Sequence, residues 1–376
     1  MTTIWSFPTR VMFGVGAVQA VGGELAGRGG ARVLVVTDAG VRAAGLLEPV
    51  LAALRAANIE AAVFDGVEGN PLERHVEAGV EAYRAAAAEA LVAVGGGSPM
   101  DAAKVIALRL EHHGPLEAYD DFKGGDRLVT GEVPPIVAIP TTAGTGSEVG
   151  RAGVVTPRAT GRKTIIFSPK LLPALAVLDP EMTRSMPPRV TAATGYDALT
   201  HCVEAYVATG DHPMADAIAL GGIRLVARSL VRAVEQGDDL EARGDMMKAA
   251  MMGAVAFQKG LGACHALAHP LSALCDLHHG LANAICLPAV ARFNQAAAPE
   301  RYAEIARIFG AGDEGCDEAL ATLRARVGLP ATLAEAGLAD PPFEALADEA
   351  FADGSHGSNP RPCTRDDLLA LYRASA

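Results

Sequence analysis

Four short apolar runs punctuate residues 1–140 of the sequence: RVLVVT (32–37), AAVF (61–64), LVAV (91–94) and IVAI (136–139). Each stops at Asp, Gly or Pro. Runs without polar alternation suit strands buried on both faces, and such strands need cover from two sides. The cover lies between them, in Ala/Leu-rich stretches of helical character at residues 46–57 and 72–88. Parallel neighbours require a crossover that a helix supplies, so this alternation predicts a parallel sheet packed with helices. After Leu178-Asp179-Pro180, Ala/Leu/Met segments with helical periodicity take over and no further β-branched run appears. Pro187-Pro188 suits a linker at the changeover. The expected organisation is an α/β domain over residues 1–180 and an all-helical domain over residues 181–376. No internal repeat is present, and residues 354–362 read as a loop.

A chain of 376 residues, half of them apolar, can bury a large core in two domains. The net charge of −12 leaves no basic face for nucleic-acid phosphates or an anionic membrane, and Arg162-Lys163 is the fullest basic run. Apolar stretches are broken by Gly, Pro and charge, and the N-terminus lacks a basic segment followed by an apolar one. These features point to no membrane partner and a cytoplasmic location. The six cysteines show no CxxC spacing and read as small buried hydrophobes of a reducing compartment.

The run at 91–94 leads into Gly95-Gly96-Gly97-Ser98-Pro99-Met100-Asp101. Ser98 suits a helix N-cap, Pro99 the first helical position, and Asp101 a capping box. Three glycines exceed what a tight turn needs. Without Cβ atoms they let backbone N–H groups approach a diphosphate, and the helix N-terminus favours the anion. This differs from the GxGxxG pattern, and Gly14-Val-Gly16 reads as a plain turn. Asp38 follows the run at 32–37; as a ribose acceptor it would repel a 2′-phosphate, or it is simply a helix cap, and the sequence supports the two equally. A second loop, PTTAGTGSE (residues 140–148), follows the run at 136–139 and suits contacts to phosphate, ribose or nicotinamide.

In the back half, Asp197 and His201 stand at i and i+4, as do His265 and His269, with His278-His279 a short loop further on. Helical spacing puts each pair on one face, one turn apart. A lone His on an apolar segment is usually a satisfied core residue, but burying several imidazoles unpaired is costly. One Asp with three His gives a nitrogen/oxygen set that fits Fe²⁺ or Zn²⁺.

GGGSPMDAAK, PTTAGTGSEV, SPKLLPALAVLDP, GYDALTHCVEAY, GACHALAHPL, HHGLANAICLPAV and NPRPCTRDDLLALY resemble the iron-containing (group III) alcohol dehydrogenase family over essentially the whole chain. The resemblance implies an α/β nucleotide-binding domain followed by a helical metal-binding domain, with the site in the cleft between them. It implies Asp197, His201, His265 and His279 as ligands of one divalent metal, and His269 as a proton relay beside the substrate. Gly95, Gly96, Gly97, Ser98, Asp101, Thr141, Thr142, Thr145 and Lys163 would contact the cofactor, with Asp38 favouring NAD(H) over NADP(H). A homodimer or larger homo-oligomer is the family-level expectation. His278 stands where the family usually has Pro, Ser272 where it has Gly, and Gly150-Arg151 where Thr is frequent. With Gln258-Lys259-Gly260, the pattern is most similar to the 4-hydroxybutyrate dehydrogenase branch.

The expected chemistry is hydride transfer between nicotinamide and a small primary alcohol or aldehyde, with the metal as Lewis acid. Arg151 and Lys259 are candidates to hold an anionic substrate group, such as that of 4-hydroxybutyrate, succinic semialdehyde, or a phosphonate or sulfonate aldehyde. Alternatively Arg151 pairs with Glu148 or the cofactor diphosphate, and Lys259 is solvated. The rival readings are a lyase of dehydroquinate-synthase type, which also uses metal and NAD, and a non-catalytic NAD- or metal-binding protein.

Overall fold

The structure, a computed structural model, describes residues 7, 9–27, 30–311 and 315–376; residues 1–6 and 8 of the N-terminal segment read for a leader lie outside them. The chain forms two compact units. One runs through Thr142 and resumes over Gly146–Ser185; the other comprises Ala143–Thr145 and Met186–Ala376.

The first unit is built on a sheet of six parallel strands: β1 (Arg10–Phe13), β2 (Arg32–Asp38), β3 (Glu60–Val67), β4 (Ala90–Gly95), β5 (Ile136–Pro140) and β8 (Leu175–Leu178), ordered β1-β8-β5-β4-β2-β3. Alternate residues of each central strand enter different cores. Leu34, Leu91, Ala93, Ile136 and Ala138 pack on one face with α4 (Glu73–Ala85) and α5 (Gly97–Glu111). Val33, Val35, Val92, Val94, Val137 and Val177 pack on the other, against α1 (Val21–Ala26) and α3 (Leu47–Ala56). This two-sided burial is why the runs show no polar alternation. The short helix α2 (Ala39–Ala43) follows β2, and an antiparallel hairpin of β6 (Ala152–Val155) and β7 (Thr164–Phe167) packs against α5. The edge strand β1, β8 and the hairpin were not singled out from the sequence: four residues of strand carry little pattern.

The second unit holds α6 (Pro188–Val207), α7 (Pro213–Glu235), α8 (Leu240–Ala256), α9 (Ala263–Cys275), α10 (His279–Asn294), α11 (Pro299–Ile308), α12 (Cys316–Arg326), α13 (Phe343–Ala352) and α14 (Arg365–Ala374). Pro187 is the N-cap of α6 and Pro188 its first residue, a position where a missing N–H costs nothing. α6 is buried on nearly every side, and glycines let its neighbours close on it. A Cβ on Gly195 would lie 2.3 Å from Leu230 of α7, and one on Gly253 of α8 would lie 2.9 Å from the His201 Cβ. Residues 354–362, read as a loop, include a 3₁₀ turn at Gly354–Ser358. No helix among the described residues is long and apolar enough to cross a membrane.

Candidate metal centre and dinucleotide loops

Asp197 and His201 project from α6, His265 and His269 from α9, and His279 opens α10. Two details bring His279 to Asp197. Gly280 lets the start of α10 touch α6, since a Cβ there would lie 2.2 Å from the Ala193 carbonyl oxygen. His278 is the N-cap, at φ −54°, a value proline also adopts. The donor atoms of Asp197, His265 and His279 all lie within 4.8 Å of one another. Asp197 Oδ1 is 3.6 Å from His279 Nε2 and 3.9 Å from His265 Nε2. The Asn283 side-chain amide donates to Asp197 Oδ1 at 2.8 Å and lies 3.4 and 3.3 Å from Nε2 of His265 and His279.

His201 joins differently. Its ring stacks on that of His265 with centroids 4.6 Å apart, and Phe257 covers it at 5.2 Å. It is not among the three convergent donors, and its buried Nδ1 lacks a well-formed hydrogen bond. Burial drives its pKa down to about 4, so the ring is neutral, the state in which imidazole ligates. Burial alone would push the Asp197 carboxyl up, but His201, His279, His265 and the Asn283 hydrogen bond outweigh it and hold it below the usual carboxylate value. A buried anionic oxygen facing two imidazole nitrogens, with a neutral imidazole alongside, suits a divalent Fe²⁺ or Zn²⁺.

Two acids outside the quoted ligand set, buried Glu204 and part-buried Asp353, complete this cluster. Glu204, seven residues beyond Asp197 on α6, meets His265 Nδ1 at 2.5 Å. Asp353 accepts from His269 Nδ1 at 2.7 Å, and His269 stacks on His279 with centroids 5.3 Å apart. Burial raises the Asp353 carboxyl, yet His269 and Ser355 together bring it down to about 2. The i+7 spacing could have found Glu204; nothing local marks Asp353, which is 84 residues from its partner.

In the first unit the Gly and Thr loops leave adjacent strands. Gly95 pairs with Pro140 at the ends of β4 and β5, and Thr141 N donates to Gly95 O at 2.9 Å. Gly95 has φ +154°, and a Cβ there would sit 2.6 Å from Pro99. A Cβ on Gly96 would meet Thr142 in ordinary contact at 3.4 Å. Helix α5 begins at Gly97 with Gly96 as its N-cap, so Ser98 and Pro99 lie two positions further into the helix than expected and Ser98 is not the cap. Asp101 forms no capping box: it accepts from Ser147 Oγ at 2.6 Å and Val154 N at 3.2 Å. The fully buried Lys104 donates to Ser147 O and Oγ, both at 2.7 Å, and to Ala152 O at 2.9 Å. Lys163, just before β7, helps to stabilise the charge of Asp101. Asp38, at the end of β2 beside β4, caps α2 through Oδ1, which accepts from Val41 N at 2.8 Å. Thr145 falls in the three-residue stretch grouped with the helical unit, where a Cβ on Gly144 would lie 2.9 Å from Thr194 Cβ.

The two cationic candidates part company. Lys259 has no exposed side-chain surface and is held by Asp216 and the Tyr206 carbonyl, with Arg301 on the other Asp216 oxygen. It is neither solvated nor available to a substrate. Arg151 lies over the Phe167 ring, 5.2 Å from its centroid, in the hairpin that follows the Thr loop, and forms no ion pair with Glu148 among the described residues.

Residues 8–180 match the family description "Iron-containing alcohol dehydrogenase", and residues 191–376 match "Fe-containing alcohol dehydrogenase family, C-terminal". The chain belongs to the iron-containing alcohol dehydrogenase family. Within it, the sequence is 41% identical over 379 residues to a 4-hydroxybutyrate dehydrogenase from Cupriavidus necator, covering 98% of each chain. The fold is similar to that of a 1,3-propanediol oxidoreductase, with TM-score 0.96, 39% identity and full coverage of both chains. It is also similar to a sulfoacetaldehyde reductase from Bifidobacterium kashiwanohense in complex with NAD⁺, with TM-score 0.88, 30% identity, and coverage of 100% of this chain and 99% of the other. Its two units, a parallel α/β sheet and a helical array, carry the family's fold.

Proposed function

We propose that this chain is a metal-dependent NAD(H) alcohol dehydrogenase or aldehyde reductase that moves hydride between nicotinamide and a small primary alcohol or its aldehyde. The observation that carries the reading is the convergence of buried Asp197 Oδ1 with Nε2 of buried His265 and part-buried His279. With His201, these residues would hold one divalent ion. When bound, that ion supplies Lewis-acid polarisation of a substrate oxygen, and the nicotinamide supplies or accepts the hydride. His269, steadied by Asp353 through Nδ1, handles the proton at Nε2.

On the other unit, the backbone N–H groups around Gly95, Gly96, Gly97 and Ser98, at the start of α5, would receive the diphosphate. Thr141, Thr142, Thr145 and Lys163 complete the cofactor set. Asp101 supports it by holding Ser147, and Asp38 favours NAD(H), because its carboxylate at the end of β2 repels a 2′-phosphate.

For the substrate we favour an anionic ω-hydroxy acid or its aldehyde, with Arg151 as the charge partner. Two relatives bear names of anionic substrates, 4-hydroxybutyrate and sulfoacetaldehyde. Lys259 has no part in this reading, because Asp216 already takes its charge.

The test is NADH oxidation over a panel of aldehydes that includes butyraldehyde and succinic semialdehyde, before and after chelator treatment, with NADPH in parallel. Turnover lost on chelation and restored by Fe²⁺ or Zn²⁺, with NADH preferred, is the expected result. Full activity in metal-free protein would overturn the reading.

A further inference from the structure

Glu204 is 2% exposed and serves two elements at once. Its Oε1 accepts from the backbone N–H of Cys264 at 2.6 Å and of His265 at 3.4 Å, in the first turn of α9, where amides have no acceptor within the helix. Its Oε2 meets His265 Nδ1 at 2.5 Å. A carboxylate has no proton to give, so Nδ1 must donate. In a neutral imidazole the lone pair then belongs to the other nitrogen, Nε2. Nε2 is the atom turned toward Asp197 Oδ1 and the Asn283 amide.

We infer that Glu204 is a positioning residue that locks His265 in its Nδ1–H tautomer and so keeps Nε2 ready to ligate. The inference rests on the metal-centre reading above. The orientation is over-determined: the two backbone donors hold Oε1 and cannot reverse their polarity, which leaves Oε2 for the ring. His201 has no such carboxylate on its buried Nδ1.

The isosteric change Glu204→Gln separates this role from packing. An amide has one acceptor and one donor. If its oxygen keeps the two backbone N–H groups, its NH₂ faces Nδ1 and forces the Nε2–H tautomer, which cannot bind a cation. We expect Zn²⁺ affinity, measured by competition with a chromophoric chelator, to fall 10- to 100-fold, with dinucleotide binding and cooperative unfolding retained. His265→Ala is the control. If His265→Ala loses Zn²⁺ and Glu204→Gln keeps it at parental affinity, the positioning role is overturned while the metal centre stands. If His265→Ala also keeps it, or the parent binds none, the metal-centre reading fails. A second measurement needs no folded Gln variant: a ¹⁵N-histidine spectrum of the metal-stripped parent at pH 9, with the His265 signal assigned by its absence from His265→Ala. An Nδ1–H pattern for His265 supports the inference, and an Nε2–H pattern overturns it.

Discussion

Part-buried Asp353 and buried Glu148 show how single carboxylates set the chemistry around them. Asp353 takes the Nδ1 proton of His269 and a hydrogen bond from Ser355 N. Asp353→Asn removes the carboxylate oxygen that orients the ring. We expect kcat to fall roughly 10²-fold, the lower range for loss of acid–base catalysis, with bound metal and KM little changed. An unaltered kcat would make the pair structural. Glu148 behaves oppositely: burial lifts its carboxyl from 4.5 to about 7, against the pull of its own backbone N–H and Lys104. The folded state therefore keeps a proton that the unfolded chain releases between these values, so Glu148 makes the protein less stable as pH rises through that window. Relative to the parent, Glu148→Gln should gain stability between pH 4.5 and 7, on the order of 1–3 kcal/mol, and then level off. Urea unfolding at pH 5 and pH 7.5 measures the difference, and a pH-independent one would contradict it. Neither residue was legible for its role in the sequence, because a carboxyl's partner and burial are tertiary facts. The candidate ligand pairs Asp197/His201 and His265/His269 stood out in the sequence because their i, i+4 spacing is written locally, and Glu204 continues the first of these stripes.

Among elements, the first turn of α10 leaves no room for an added atom. His279 reaches Asp197 because Gly280 lies against the Ala193 carbonyl of α6. A methyl there has nowhere to go, so Gly280→Ala must lift the start of the helix and carry His279 away. We expect a loss of about 1–3 kcal/mol in stability, as for overpacked cores, and at least 10-fold weaker Zn²⁺ binding by chelator competition. Loss of stability with intact Zn²⁺ affinity would mean that α10 shifts without moving its histidine. The long helices and central strands could be read from periodicity. The Gly96 cap, the β6–β7 hairpin and the strands β1 and β8 could not, because each is fixed by what it packs against rather than by its own composition.

At the scale of the whole molecule, the candidate metal ligands lie in the helical unit and the glycine loop in the sheet unit, each with its own buried clusters. Asp197→Ala should therefore abolish Zn²⁺ binding and turnover while NADH binding, followed by fluorescence titration, stays within a few-fold of the parent. Loss of NADH binding in that variant would show that the two functions are not separable in this way.

Lys104 carries a consequence for reagent chemistry. Burial lowers its amine to about 8, which in an exposed lysine would make a strong nucleophile toward acylating reagents. All three of its N–H bonds are instead taken by Ser147 and Ala152, and none of its surface meets solvent. Acylation at this site requires the segment from Ser147 to Ala152 to lift away, so the labelling rate becomes a clock for that local opening. Mass spectrometry should find Lys104 labelled far more slowly than exposed Lys123.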